Sequence, residues 1–204
     1  MIRDIPCVIL SGGKSSRMRE DAGIDKAFLD FWGEPLYYRQ YQKLSKIFES
    51  VYLNTKSAKN YDKIESKQII EDLTSVEGFD TSELFAPTLG MLSAFETLQS
   101  DRIFFIGVDT PFISEESIQN LILRNAPFIA AQSGEKIHPT VAVYDKSISS
   151  ELTRMIKQNK HKLTLLLEKI GTIFVQTGNE KEFLNLNRYE DYKKVIEDGV
   201  NPFR

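Results

Sequence analysis

Two adjacent glycines directly behind an apolar run constrain this chain more than any other feature. Residues 5–10 read as a buried first strand, and Ser11-Gly12-Gly13 follows it. Without a Cβ the backbone can turn sharply there and bring consecutive N–H groups against an anion. Lys14, Arg17 and Lys26 lie in the same loop region, as three cations able to neutralise a polyphosphate. Gly13-Lys14-Ser15 imitates the end of a P-loop, but the first glycine of that pattern would fall on Val8, inside the strand. A plain glycine-rich strand-to-helix connection is the alternative reading of the stretch.

The rest of the chain alternates strand and helix. Pro35 opens a helix to about Phe48, with Leu36, Tyr37, Tyr41, Leu44, Ile47 and Phe48 on one stripe. Short strands are expected at 51–54 and 68–70, with a short helix around Tyr61 between them, and 73–86 reads as a mobile acidic loop. A helix over 87–99 leads into the strongest strand, 102–108, apolar on both faces and ending at Asp109. Ser114 caps the next helix, and strands are expected at 127–132 and 139–144, the second able to pair back on the first. Helices at 146–158 and 163–169, short strands at 173–175 and 183–185, and a terminal helix over 188–198 complete the pattern. This alternation predicts an α/β fold with a mainly parallel sheet and crossover helices, in one domain.

Net charge is −3, so no global basic field draws in nucleic acid and a small partner is expected. One cysteine, Cys7, and two histidines leave no Cys/His zinc set, so a metal held by carboxylates, magnesium or manganese, is favoured. Met1-Ile2-Arg3-Asp4 has no signal-peptide pattern, and no apolar run approaches the ~20 residues of a membrane span. A soluble cytoplasmic protein without membrane contact is the expectation. Open parallel sheets hold ligands beyond the carboxyl ends of their strands, where the Gly12-Gly13 loop, Asn54, Asp72 and Asp109 fall.

The series Leu10-Ser11-Gly12-Gly13-x-Ser15-x-Arg17-Met18, Asp25-Lys26-Ala27, Pro87-Thr88-Leu89-Gly90-Met91, Asp109-Thr110-Pro111-Phe112, His138-Pro139-Thr140 and Asn185-Leu186-Asn187-x-x-Glu190-Asp191 resembles nucleotidyltransferases of Rossmann-like, three-layer fold. It is most similar to the molybdenum cofactor guanylyltransferases. The resemblance implies transfer of GMP from GTP to the terminal phosphate of molybdopterin, with pyrophosphate released. Leu10, Ser11, Gly12 and Gly13 would then bind nucleotide, Arg17 and Lys26 the β- and γ-phosphates, Asp109 magnesium, and Asn54 and Asp72 the guanosine part.

It places the nucleotide half at about 1–112 and the acceptor half at about 113–204, where His138, Lys162, Asn185 and Asn187 would meet the acceptor. Relatives that use CTP usually carry alanine at the position of Gly12, so Leu10-Ser11-Gly12-Gly13 resembles the guanine version. Molybdoenzymes or their chaperones are the implied clients. A CTP-dependent or sugar-phosphate transferase, and a non-catalytic GTP-binding delivery adaptor, are the alternatives. Three departures stand out: the insert 19–24 ahead of Lys26, Thr88 within the Pro-Thr-Leu-Gly stretch, and His161-Lys162 where an arginine pair is usual.

Overall fold

The computed structural model describes residues 1–13, 15–177, 179–199 and 201–203, and of Arg17 the backbone only. Its elements run β1 (Cys7–Leu10), α1 (Ser16–Ala22), α2 (Leu36–Leu44), β2 (Val51–Thr55), β3 (Ile69–Glu71), β4 (Ser75–Val76), β5 (Phe79–Asp80) and α3 (Pro87–Leu98). They continue with β6 (Arg102–Gly107), α4 (Glu115–Ile122), β7 (Phe128–Ser133), β8 (Lys136–Asp145), α5 (Ser149–Lys157), α6 (Leu163–Lys169), β9 (Ile173–Gln176) and α7 (Tyr189–Glu197).

Seven of these strands form one sheet in the order β3-β2-β1-β6-β8-β7-β9. The left-hand four are parallel, β7 pairs parallel with β9, and β8 alone runs against its neighbours. The expected mainly parallel sheet is therefore present, with the β7–β8 hairpin folded so that β8 lies against β6.

Residues along each central strand alternate between two cores, as a two-residue period demands. Cys7, Ile9, Phe104 and Ile106 join one core with Leu36, Tyr37 and Leu44 of α2, Ile118 and Leu121 of α4 and Val195 of α7. Val8, Leu10, Ile103 and Phe105 join the other with Leu89 and Phe95 of α3, Leu152 and Ile156 of α5 and Leu166 of α6. Helices thus cover both faces, which gives three layers.

Three expectations are corrected. The stretch 73–86, expected as a loop, contains strands: β4 and β5 form a hairpin whose turn residues Glu77 and Gly78 both have positive φ (46° and 79°). That hairpin is tied down by the Thr81 hydroxyl on Leu73 O, by Lys56 Nζ on Thr81 O (2.7 Å) and Leu84 O (3.0 Å), and by a Lys157–Glu77 ion pair. The expected strand at 183–185 does not form, because Phe183 ends a 3-10 turn begun at Glu180 and is buried beneath it. The helix around Tyr61 shrinks to a 3-10 turn, Ala58–Asn60.

Candidate active site

Register brings the site together. Leu10 lies beside Asn54 on one side and Gly107 on the other, and Asn54 lies beside Ile70, so four parallel strands end in one row. Pairing runs on past that row through Ser11 N to Asn54 O (2.9 Å), Asp72 N to Thr55 O (3.0 Å) and Val108 N to Leu10 O (3.0 Å). Gly12, Asp72 and Asp109 are thereby set at neighbouring positions over the carboxyl edge. A cavity of about 170 Å³ opens there, walled by Leu10, Ser11, Gly12, Gly13, Lys26, Asn54, Pro87, Asp109 and Thr140 among others. Among the described residues neither the Gly12 nor the Gly13 N–H donates within the protein.

Lys26 reaches this edge despite the insert before it. Residues 16–22 form α1, Gly23 caps it with φ 69°, and Asp25 closes the loop. The Asp25 carboxylate accepts from Ser15 Oγ (2.9 Å), Arg19 (2.8 Å) and Ala27 N (3.1 Å), which fixes the start of the 3-10 turn carrying Lys26. Lys26 Nζ then meets Asp109 Oδ2 at 2.6 Å, both side chains being 19% exposed. Lys14 lies outside the described residues, as does the side chain of Arg17.

Asp109 sits on a gripped turn. A Cβ at Gly107 would lie 2.5 Å from Asp109 Oδ1, so glycine makes room for the carboxylate. Gln40, fully buried on α2, donates through Nε2 to Gly107 O (3.1 Å) and Thr110 O (3.4 Å) across the turn.

Asp72 is the electrostatically unusual member. Burial pushes its carboxyl up to about 6, against the opposing pull of the Asn54 amide and the Lys56 cation. Asn54 Nδ2 donates to Asp72 Oδ1 (2.9 Å) and to Ile70 O (3.2 Å), so Asn54 holds Asp72 while its Oδ1 turns toward Gly90. A Cβ at Gly12 would lie 3.3 Å from Asp72 Oδ2.

A Cβ at Gly90 would overlap Asn54 Oδ1 and touch Leu10 Cδ2 at 3.2 Å. On an open helix Gly→Ala stabilises by about 1 kcal/mol. At this buried position the sign reverses: Gly90→Ala is expected to cost about 2 kcal/mol, because the Asn54 amide must leave both its acceptors. Thermal denaturation checks it, and a raised midpoint contradicts the packing described.

The His138-Pro139-Thr140 motif is a bulge. Ala130 pairs with Ala142 but the next residue, Ala131, pairs with His138, so residues 139–141 leave the ladder. Pro139 has no N–H to lose there, and its carbonyl accepts from the buried Tyr144 hydroxyl (2.7 Å). The bulge serves two cavities: Thr140 lines the one around Asp109, and His138 lines a second of about 720 Å³. His138 stacks on Phe183 (centroids 4.0 Å apart), has Nε2 2.7 Å from Ser133 Oγ, and is pushed down to about 4 by burial and Lys136, so it is neutral at pH 7.

Asn185 and Asn187 line the same second cavity on either side of Leu186, which is fully buried. Lys162 is not in either wall. It is exposed and precedes α6, while its neighbour His161 meets Thr88 at the start of α3 (Nδ1 to Oγ1, 3.0 Å). Thr88 and His161, two departures noted in the sequence, are thus partners. Gln40, Thr110 and Thr140 were not singled out for this edge by the sequence reading. Thr110 and Thr140 belong to the Asp109-Thr110-Pro111-Phe112 and His138-Pro139-Thr140 motifs, whereas nothing local marks Gln40. Among the described residues no helix is long and apolar enough to cross a membrane, and no three His, Cys, Asp or Glu form a metal-binding group.

Comparison with known proteins places this geometry. The family described as MobA-like NTP transferase domain matches residues 7–173. The chain is 35% identical over 207 residues to a molybdenum cofactor guanylyltransferase of Helicobacter pylori, covering 98% of this chain and 94% of that protein. It is 34% identical over 197 residues to one of Campylobacter jejuni, covering 95% and 96%. Among solved structures, molybdopterin-guanine dinucleotide biosynthesis protein A of Archaeoglobus fulgidus shares the fold at TM-score 0.75 and 20% identity, over 96% of this chain and 98% of that one.

Proposed function

The chain belongs to the molybdenum cofactor guanylyltransferase family of MobA-like NTP transferases, and from that premise we propose that it transfers GMP from GTP to the terminal phosphate of molybdopterin. An acceptor phosphate oxygen bonds to the α-phosphorus of GTP, the bond from that phosphorus to the β-bridging oxygen breaks, and pyrophosphate leaves. The acceptor supplies the nucleophile, so the protein's task is positioning and charge stabilisation. The observation that carries the reading is the Lys26–Asp109 contact at 2.6 Å beside the Gly12 and Gly13 N–H groups, which donate to none of the described residues.

In this reading Gly12 and Gly13 hold phosphate oxygens through their N–H groups. Lys26, with two further N–H donors beyond the one on Asp109, holds the leaving β- and γ-phosphates. Arg17 is assigned as the second cation there by its place in the motif. Asp72 accepts from the guanosine part, and Asn54 keeps it in place. His138, Asn185 and Asn187 receive the acceptor in the larger cavity. Lys162, exposed ahead of α6, is assigned to the acceptor's approach only.

Asp109 is the residue fitted to hold magnesium or manganese: its Oδ1 takes no hydrogen bond among the described residues and lies in the space a Gly107 Cβ would fill. Such an ion needs only one or two protein carboxylates, and when bound it supplies charge neutralisation at the phosphates. Recipients of the product are molybdoenzymes or their chaperones, and the reaction belongs in the cytoplasm with its GTP supply.

Pyrophosphate release, measured with molybdopterin and each of GTP, CTP, UTP and ATP, tests the reading. GTP is expected to be preferred by at least about tenfold, since a base pocket discriminates by about 1–3 kcal/mol per contact. Equal or faster turnover of CTP overturns the base assignment, and GTP binding without pyrophosphate release identifies a delivery adaptor instead.

A further inference from the structure

A side-chain hydrogen bond from Thr110 links the walls of the two cavities. Thr110 is 2% exposed and lies between the turn that carries Asp109 and the segment that carries Asn185 and Asn187. Its N–H closes the turn on Gly107 O (3.2 Å), and its carbonyl accepts from Gln40 Nε2 (3.4 Å). Just beyond it, Lys43 Nζ holds Pro111 O (2.9 Å) and Ile113 O (2.6 Å). With the Gln40 bond to Gly107 O, the turn is therefore gripped from α2 at four carbonyls on one side. On the other side Leu186 N donates to Asp109 O (3.1 Å), and the buried Leu186 side chain anchors that bond. The Thr110 hydroxyl donates to Asn185 Oδ1 at 3.0 Å.

We propose that Thr110 is a positioning residue for the acceptor: its hydroxyl, bonded to Asn185 Oδ1, fixes the amide so that the Nδ2 donors are offered to the large cavity. This rests on the transfer reading above for the identity of the acceptor. A primary amide is nearly symmetric in shape but opposite in chemistry at its two ends, so a partner on one end decides what the other end presents. With Oδ1 held, Asn185 recognises a hydrogen-bond acceptor, such as a phosphate oxygen or a ring carbonyl, and disfavours a donor. Because the same turn bears Asp109, the group so recognised is also set in register with the nucleotide side.

The test reads acceptor binding directly, by titrating molybdopterin into the full-length protein, together with GTP binding and the thermal midpoint. Thr110→Val removes the hydroxyl at constant shape and is expected to raise the molybdopterin Kd about tenfold, one to two hydrogen bonds' worth of net affinity. The Kd for GTP should move less than about twofold, a difference small beside RT-scale coupling. Thr110→Ser restores the hydroxyl and should restore the Kd. In an Asn185→Ala background Thr110→Val should add nothing, because the hydroxyl acts through that amide.

Asn185→Asp supplies a variant independent of Thr110 packing: it still accepts from Thr110 but offers oxygen to the cavity, and should weaken molybdopterin at least as much as Asn185→Ala. A Thr110→Val protein with the wild-type molybdopterin Kd overturns the assignment. So does an undiminished effect in the Asn185→Ala background, or an Asn185→Asp protein that binds normally. Failure of the wild type to release pyrophosphate counts against the transfer reading alone, since the binding ratios do not depend on turnover.

Discussion

Asp109→Asn is expected to lower kcat/KM for guanylyl transfer by about 10³-fold, equivalent to about 4 kcal/mol of transition-state stabilisation. The substitution keeps the shape of the side chain and so spares the turn. Gly107, Gln40 and Leu186 hold that turn through backbone groups that the change does not touch. What disappears is the negative charge at the centre of the edge, opposite Lys26 at 2.6 Å. Lys26 then keeps its own charge for the triphosphate, so GTP binding should change far less than kcat. Steady-state kinetics, a GTP titration and a melting curve separate the three effects. An Asp109→Asn enzyme with the wild-type kcat would falsify the role given to this carboxylate, and one that no longer folds would show that the ion pair is structural instead.

Much of this architecture was legible because burial on both faces leaves a plain mark. The run that became β1 and the 103–106 stretch of β6 are apolar on both faces, as a central parallel strand must be, and they point to Gly12 and Asp109 at their carboxyl ends. Lys26 was legible from its motif, but its reach was not. The reach depends on α1, seven residues in which Met18 is fully buried, and on Asp25 gathering three donors at the far end of the insert. A helix that short carries no periodicity to read.

The β4–β5 hairpin was hidden for a similar reason, since two residues per strand cannot display alternation and its hold comes from Lys56 and Lys157 elsewhere in the chain. The segment around Asn185 has a strand-like composition, but its N–H groups join no ladder: Leu186 N bonds to Asp109 O, while Leu184 N and Asn187 N bond within the segment to Lys181 O and Asn185 O. Gln40 lies beyond any sequence reading: on α2 it stands beside three other polar residues, Arg39, Gln42 and Lys43, and only the docking of α2 on the end of β6 brings it to the turn.

Asp72→Asn is expected to make the nucleotide-free protein more stable at pH 7.5 and less able to bind GTP. The carboxyl has a pKa near 6 in the folded chain against 3.8 as its ordinary value, so folding favours its protonated form. Below about pH 3.8 the group is protonated in both states and exerts no penalty. As pH rises toward 6 the unfolded chain releases this proton before the folded one does, and stability falls. Above 6 the full cost persists, about 2 to 3 kcal/mol for a shift of about two units at this buried position. Asparagine keeps an oxygen for the Asn54 amide and removes the buried charge. The melting midpoint should therefore rise by roughly 5–8 °C at pH 7.5 and stay unchanged at pH 3.5.

The same charge is what the guanosine part is expected to meet. A charge-assisted acceptor is worth about 1.5–3 kcal/mol, so the GTP Kd should rise by about 10²-fold in Asp72→Asn. Wild-type affinity should weaken as pH falls through 6, with the variant flat over that range. A variant that is less stable at pH 7.5, or that binds GTP as the wild type does, would separate the buried carboxyl from the base pocket. The opposite signs of the two effects are the useful signature: a mutation that merely disturbed packing would lower stability and affinity together, whereas loss of a charge kept for its ligand raises one and lowers the other.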